Sequence, residues 1–446
     1  MSNVARKLVP VLLTGAMLAL AACSGGGDTP AEPAPPAENG EPAALPEKPE
    51  SISYWSMWNE GETQQKVIAQ AVKAWEEETG IKVDVEWQGR GVVQKLTPAL
   101  NTNKVPDLVD AAYNKIAPIL VTTGQAGSLQ GAYDTEIDGK KVSELIPEKY
   151  LSGNTQLTLE DGTPWMLPYS ISSEGVWFDA ATHPDWSSAP PETWDDFITV
   201  LDELKTSDQA PLAIDGDIGG YNSAWFSSLM IGENGPGSVD NLITSEDGSA
   251  WDAPEVLEIA QRVESLASGG YFIPGYNASK FPAQQEAWGS GKAAMLFSGS
   301  WIPAETSTYV KDGFEFDSFP LPTNSEKKYA RAEFVGYVTP AKAKNIEWAS
   351  NLAASVLSID IQNAYGTEAK SLPVRLDAEV SPELQSVVDH LEAADGIYAA
   401  FDGAIYPGYT DKVLFPINND LVLGKISGEE FVAKMKAATV DYWKNQ

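Results

Sequence analysis

The sequence predicts an α/β fold: a parallel sheet with helices packed on its faces. Three observations lead there. From residue 51 onward, segments that alternate apolar and polar residues take turns with segments whose apolar residues recur at helical spacing. At 446 residues the chain is too long for one core and suits two domains of roughly 150–200 residues each. Its composition, 43% hydrophobic against 21% charged, is that of a globular protein.

The elements follow in order. Ile52 to Trp58 is rich in β-branched and aromatic residues and is predicted as a strand. Glu62 to Thr79 is predicted as a helix, with Val67, Ile68, Ala71, Val72 and Trp75 on one face and Gly80 as its stop. Ile81 to Trp87 alternates as a second strand, a helix covers about residues 91–102, and Pro106 to Asp110 leads a third strand. Strand, helix, strand, helix, strand describes parallel pairing with crossover helices.

In such sheets ligands bind beyond the carboxyl ends of the strands. The loops at that edge are 56–61, 88–90 and 110–115. They offer Trp58, Asn59, Glu60, Arg90, Asp110 and Tyr113 as candidate ligand contacts, with Gln88 and Asn114 beside them.

Residues 1–22 carry Arg6 and Lys7 before the apolar run Leu8–Ala22, which is too short to span a bilayer comfortably. This is the pattern of a signal peptide. Leu20-Ala21-Ala22-Cys23 resembles a bacterial lipoprotein lipobox, which implies that Cys23 becomes the new N-terminus and carries lipid. Residues 23–50 are rich in Gly, Pro, Ala and Glu and lack the apolar content to pack. They are expected to form an extended tether of about 80 Å at about 3.1 Å per residue. The expected location is the outer face of the cell membrane.

Composition narrows the chemistry. The formal charge of -33 repels phosphate backbones, so nucleic acid is not an expected partner. Cys23 is the sole cysteine, which excludes an internal disulfide and a thiolate metal cluster. The two histidines, His183 and His390, have no ligand-like spacing, which argues against a histidine-based triad and against most zinc or copper sites. No catalytic residue, metal or cofactor is expected.

Five segments then occur in register with one family. They are Trp75-Glu76-Glu77-Glu78-Thr79-Gly80-Ile81-Lys82-Val83 followed by Pro106-Asp107; Asp161 to Pro168; Val176-Trp177-Phe178-Asp179; Pro191-Glu192-Thr193-Trp194-Asp195-Asp196-Phe197; and Gly291 to Met295 with Gly299-Ser300-Trp301. Together they resemble the maltose-binding-like family of extracellular solute-binding proteins, across nearly all of residues 51–446. The resemblance implies a type II periplasmic-binding-protein-like fold, with two α/β lobes around a ligand cleft joined by three crossover segments. These are expected near 168–175, 315–323 and 357–366. The lobes would be 51–170 plus 322–362 and 171–321 plus 363–446. The resemblance further implies a sugar ligand, expected to be an oligosaccharide, delivery to the permease of an ABC importer, and action as a monomer that closes around its ligand.

A sugar presents flat C–H faces and a rim of hydroxyls, which suit aromatic rings and polar side chains respectively. The chain holds 14 Trp, 16 Tyr and 13 Phe, so rings are available for both core and site. Trp75, Trp194 and Trp288, at helix positions, are assigned to the core. Trp301 is assigned to ligand stacking because the family places a sugar-facing tryptophan after that Gly-Ser. Trp225, Tyr337, Tyr409 and Asp411 are further candidates, with Tyr169 and Tyr221 among the aromatics expected to face the cleft, and Ser172 in the first crossover. Two alternatives stay open on sequence grounds: a binding protein of the same shape for another solute such as a polyamine, and an extracellular glycoside hydrolase with a pair of carboxylates across a cleft.

Overall fold

The computed structural model describes residues 45–446, apart from 103, 153–154, 400–402 and 404. The signal peptide, Cys23 and most of the tether therefore lie outside the described residues. The strands are β1 (Ser51–Ser56), β2 (Lys82–Trp87), β3 (Leu108–Ala112), β4 (Glu136–Ile137), β5 (Lys140–Lys141), β6 (Met166–Asp179), β7 (Ala210–Ala213), β8 (Ala293–Gly299), β9 (Phe316–Phe319), β10 (Tyr329–Val338) and β11 (Gly396–Ala399). Nine of them form one sheet along the path β2-β1-β3-β10-β6-β8-β7, with β11 added on β10 and β9 on β6. The remaining two, β4 and β5, form a small hairpin.

The predicted opening is present. The helix Thr63–Thr79 buries Val67, Ile68, Ala71, Val72 and Trp75 and ends at Gly80, whose φ of 65° suits glycine. On either side of β1, strands β2 and β3 pair with it in parallel. The sheet as a whole is mixed, which the sequence reading did not foresee. Strand β10 returns from far along the chain and lies antiparallel to both β3 and β6. At the other end β7 and β8 are parallel, while β8 and β9 run antiparallel to β6. The Pro-x-Thr-Trp segment starts a helix at Trp194. There Thr193 Oγ1 accepts from the Asp196 amide at 3.1 Å, and Asp196 Oδ2 accepts from the Thr193 amide at 3.2 Å.

Two apolar clusters fill the interior. The first gathers Ile52, Ile68, Trp75, Leu108, Trp165, Phe334, Leu352 and their neighbours. The second gathers Val176, Phe178, Phe197, Trp225, Trp251, Val263, Leu414 and Phe431. Strand β6 feeds both, giving Leu167, Tyr169, Ile171 and Trp177 to the first and Val176 and Phe178 to the second, so that its second half has one cluster on each face. From the stretch after residue 362, Tyr365, Leu372, Val374, Leu384, Leu391 and Ile397 pack in the first cluster, which also takes in Trp288, Leu296 and Ile302. The segment 357–366, expected as a crossing, instead includes the helix Ile359–Thr367, whose Gln362 side chain donates to Tyr169 O at 3.1 Å and so ties the helix to β6. The apolar spacing of this stretch does not distinguish one core from the other.

A buried carboxylate knits β1, β3 and β6 together. Asp110, fully shielded from solvent, accepts from Tyr54 Oη at 2.9 Å, Tyr169 Oη at 2.7 Å and the Met57 amide at 3.2 Å. Trp58 Nε1 in turn donates to Tyr169 Oη at 2.8 Å. Burial raises the Asp110 pKa from the ordinary carboxylate value, and these donors hold it back.

Two predictions follow from these interiors. Asp110→Ala should cost about 2–5 kcal/mol in urea denaturation, because it strands two buried phenols as well as removing their acceptor; a loss near zero would dismiss the network as a structural tie. His390 is pushed down to about 4, mainly by burial, with Asp317 and Asp389 pulling the other way. Its folded-state value lies below the unfolded one of about 6.5, so its contribution is intact above that pH and is lost as pH falls toward 4. Acidification across that window should cost up to about 3 kcal/mol from this group, and His390→Gln should flatten that part of the slope. An unchanged slope in the variant would place the acid sensitivity elsewhere.

Candidate ligand-binding site

A cavity of about 370 Å³ opens where β6 exchanges β10 for β8 as its neighbour. That volume is within the range of small-molecule sites. Its back wall is Ser172, Ser173 and Glu174 of β6, with Arg331 and Glu333 from β10. Residues 331, 333 and 335 of β10 are half-buried and alternate with the buried 332, 334 and 336, so Arg331 and Glu333 share one face of the strand. Arg331 forms an ion pair with Glu174 on the neighbouring strand, both side chains being nearly buried. Ser228 Oγ donates to the other carboxylate oxygen of Glu174 at 3.4 Å.

One side is aromatic. The rings of Trp301 and Tyr221 stack with centroids 5.9 Å apart at 24°. Tyr221 stands on the first turn of the helix Gly219–Asn234, and Trp301 precedes the helix Ile302–Thr306. The Trp301 ring lies over Gly299, where a Cβ would come within 2.1 Å of it. Glycine is therefore required at that place for the ring to turn toward the cavity. Burial, followed by the nearby Glu305 charge, raises the Tyr221 pKa, so the phenol stays protonated and able to donate.

The remaining walls come from two distant segments. Asn114, Lys115 and Pro118 belong to the helix Tyr113–Leu120 that follows β3. Tyr406 to Gly408, Thr410, Asp411 and Phe415 follow β11. The neighbouring Tyr113, buried on the β3 side, has its pKa raised first by burial and then by Asp240 and Tyr406 from the second half of the molecule.

Of the residues named from sequence, Ser172, Trp301 and Asp411 line this cavity, as do Asn114 and the cleft aromatic Tyr221. The remaining candidates are placed elsewhere. Arg90 stacks its guanidinium 4.6 Å from the Trp58 ring centre and reaches Met57 O and Glu62, making a local cluster at the end of β1. Asn59 donates to Glu62, and Glu60 is exposed beside it. Asp110 and Tyr337 lie in the first core; Trp225 and Tyr409 lie in the second, with Tyr409 Oη paired to Thr439 Oγ1 at 2.7 Å. Sequence reasoning missed Glu174, Arg331 and Glu333. The available signal was the charge itself: Glu174 is the one charged residue inside the fourteen-residue strand before its terminal Asp179, and Arg331 and Glu333 recur at period two on another.

The comparisons with known proteins agree with this architecture. The fold is shared with RafE from Streptococcus pneumoniae, with a TM-score of 0.73 at 15% identity over 90% of this chain and 99% of that one. It is likewise shared with a chitin oligosaccharide binding protein, with a TM-score of 0.67 at 20% identity over 88% of this chain and 99% of that one. These likenesses establish the type II, two-lobed periplasmic-binding-protein fold. In sequence, the diacetylchitobiose binding protein NgcE of Streptomyces coelicolor is 22% identical over 287 residues, 63% of this chain and 60% of that protein. The multiple sugar-binding protein of Streptococcus mutans is 25% identical over 162 residues, 35% of this chain and 38% of that one. The chain thus spans less than two thirds of the length of these curated relatives. Among the described residues no helix is long and apolar enough to cross a membrane. Residues 59–354, more than half of the sequence, match the bacterial extracellular solute-binding proteins, and the chain belongs to that family.

Proposed function

We propose that this chain is an extracytoplasmic lipoprotein that binds a carbohydrate in the cavity between its lobes and presents it to an ABC importer, with no chemistry of its own. The observation that carries the reading is the stacked Trp301–Tyr221 pair facing a wall of Glu174, Arg331 and Glu333. The rings fit the C–H face of a sugar, and the charged groups fit its hydroxyls with strong, charge-assisted hydrogen bonds. The names of NgcE and of the Streptococcus mutans relative, both sugar binders, support the same ligand class.

A cationic amine such as a polyamine suits the cavity less well. Its two cations, Lys115 and Arg331, face three carboxylates, Glu174, Glu333 and Asp411, so charge alone does not exclude an amine; the stacked aromatic pair and the ligand class of the relatives favour the neutral polyol. We assign lobe closure to movement about the crossing at β6, which would bring the Asn114–Lys115 wall onto the ligand. Lipidation at Cys23 completes the proposal, the tether holding the folded part away from the membrane.

Thermal shift of the full-length chain against mono- and oligosaccharides, with polyamines and amino acids as controls, tests the ligand class. A sugar series should raise the melting temperature by mass action. A shift with amines alone would discard the carbohydrate reading and keep the fold. Trp301→Ala should weaken sugar binding by about 1–3 kcal/mol, measured calorimetrically, with folding retained; unchanged affinity would remove Trp301 from the site. Cys23→Ser should move the protein from the membrane fraction to the soluble one, and continued sedimentation with membranes would count against the anchor.

A further inference from the structure

The aromatic wall does not stop at the mouth of the cavity. Tyr221, which stacks on Trp301, also meets the ring of Phe281, 6.5 Å away and inclined at 62°. Phe281 is 42% exposed. Among the described residues the other exposed large hydrophobic is Leu45, at the very start of the described chain. An isolated exposed ring needs no explanation, but this one continues a pair that already lines a ligand cavity.

Its position is fixed from two sides. The Phe281 amide donates to Asp217 Oδ1 at 2.9 Å, and the Gly216 amide donates to Ser279 Oγ at 3.3 Å. Gly216 and Asp217 belong to the segment between β7 and the helix that carries Tyr221. The same short segment therefore holds both rings, and Phe281 is displayed rather than left to collapse onto the surface. Polar groups edge it: the Asp217 carboxylate, and the Lys280 ammonium 3.7 Å from Asp217 Oδ2. An aromatic face with carboxylate and ammonium at its border repeats, outside the cavity, the chemistry found within it.

We propose that Phe281 forms an outer subsite, so that the ligand is an oligosaccharide running from Trp301 across Tyr221 onto Phe281, and not a mono- or disaccharide enclosed by the cavity alone. This rests on the carbohydrate reading and extends it to chain length. The units within the cavity meet Trp301, Tyr221 and the Glu174–Arg331 wall. A further unit covers Phe281 and offers its hydroxyls to Asp217 and Lys280.

The test is isothermal titration of the full-length wild type, Phe281→Ala and Trp301→Ala with saccharides of one to five units in the chitin, malto and xylo series. In the series that binds, wild-type affinity should rise beyond the disaccharide. Phe281→Ala should lose about tenfold for the longer members, the worth of one stacking contact, and nothing for the shortest. Trp301→Ala should weaken all lengths. A Phe281→Ala variant that binds every length as the wild type does, or that weakens all lengths equally, would overturn the outer subsite and leave the carbohydrate reading standing. Absence of binding by any saccharide would overturn both. Phe281 is exposed, so its removal should leave the melting temperature of the free protein in place, which separates a subsite effect from loss of fold.

Discussion

One strand constrains the whole molecule. The first half of β6 is paired to β10 and its second half to β8 and β9, within fourteen consecutive residues. Backbone groups buried in a sheet have to be paired, so each half of the strand is held by its own neighbours and the changeover is where the two sets meet. The side chains follow the pleat: Leu167, Tyr169 and Ile171 enter the first core, and beyond the changeover Trp177 enters that same core while Val176 and Phe178 enter the second. Ser172, Ser173 and Glu174, between these stretches, belong to neither core, and the cavity lies there. The candidate site is the place where a continuous strand exchanges β10 for β8 as its neighbour.

Such a junction can hold charge that a core could not. Glu174 and Arg331 are nearly buried, and removing both from water is costly unless each meets a partner of good geometry. Neighbouring antiparallel strands supply that geometry, since Ser173 pairs with Ala332 one residue away. The pair presents a fixed carboxylate and guanidinium at the back of a pocket whose other side is aromatic. A ligand arriving there need not order either side, and preorganisation of this kind lowers the cost of binding.

Much of the fold was legible in the sequence. The helix Thr63–Thr79 with its Gly80 stop, the alternating strand before Gln88 and the Thr193 cap each follow from local pattern. The site was less so, and the reason is strand order. Candidate loops were taken from the carboxyl ends of β1, β2 and β3 as though those strands bordered the ligand. In the sheet, β3 stands two positions from β6, β1 three and β2 four. At about 4.8 Å per strand, the ends of β1 and β2 are roughly 14–19 Å from the cavity wall. Only the β3 end is near enough, and it supplies Asn114 and Lys115. The insertion of β10 between β3 and β6 brings together segments more than 150 residues apart, and no local pattern announces it.

The aromatics show a second limit. Tyrosine and tryptophan satisfy a core and a sugar site with the same ring, and composition does not separate the two. What separates them is place in the fold. Tyr54 and Tyr169 turn their hydroxyls to Asp110, Trp58 its N–H to Tyr169 and Tyr409 its hydroxyl to Thr439, so each is satisfied within the protein. Trp225 and Tyr337 are just as deeply buried with no hydrogen-bond partner for their polar atoms among the described residues, so closure of a hydrogen bond does not by itself mark a core ring. Tyr221 and Trp301 instead lie along the cavity, with Gly299 leaving room for the Trp301 ring to lie flat beside it. A ring becomes available to a solute where the strands leave a cavity beside it, and that is set by sheet topology rather than by residue type.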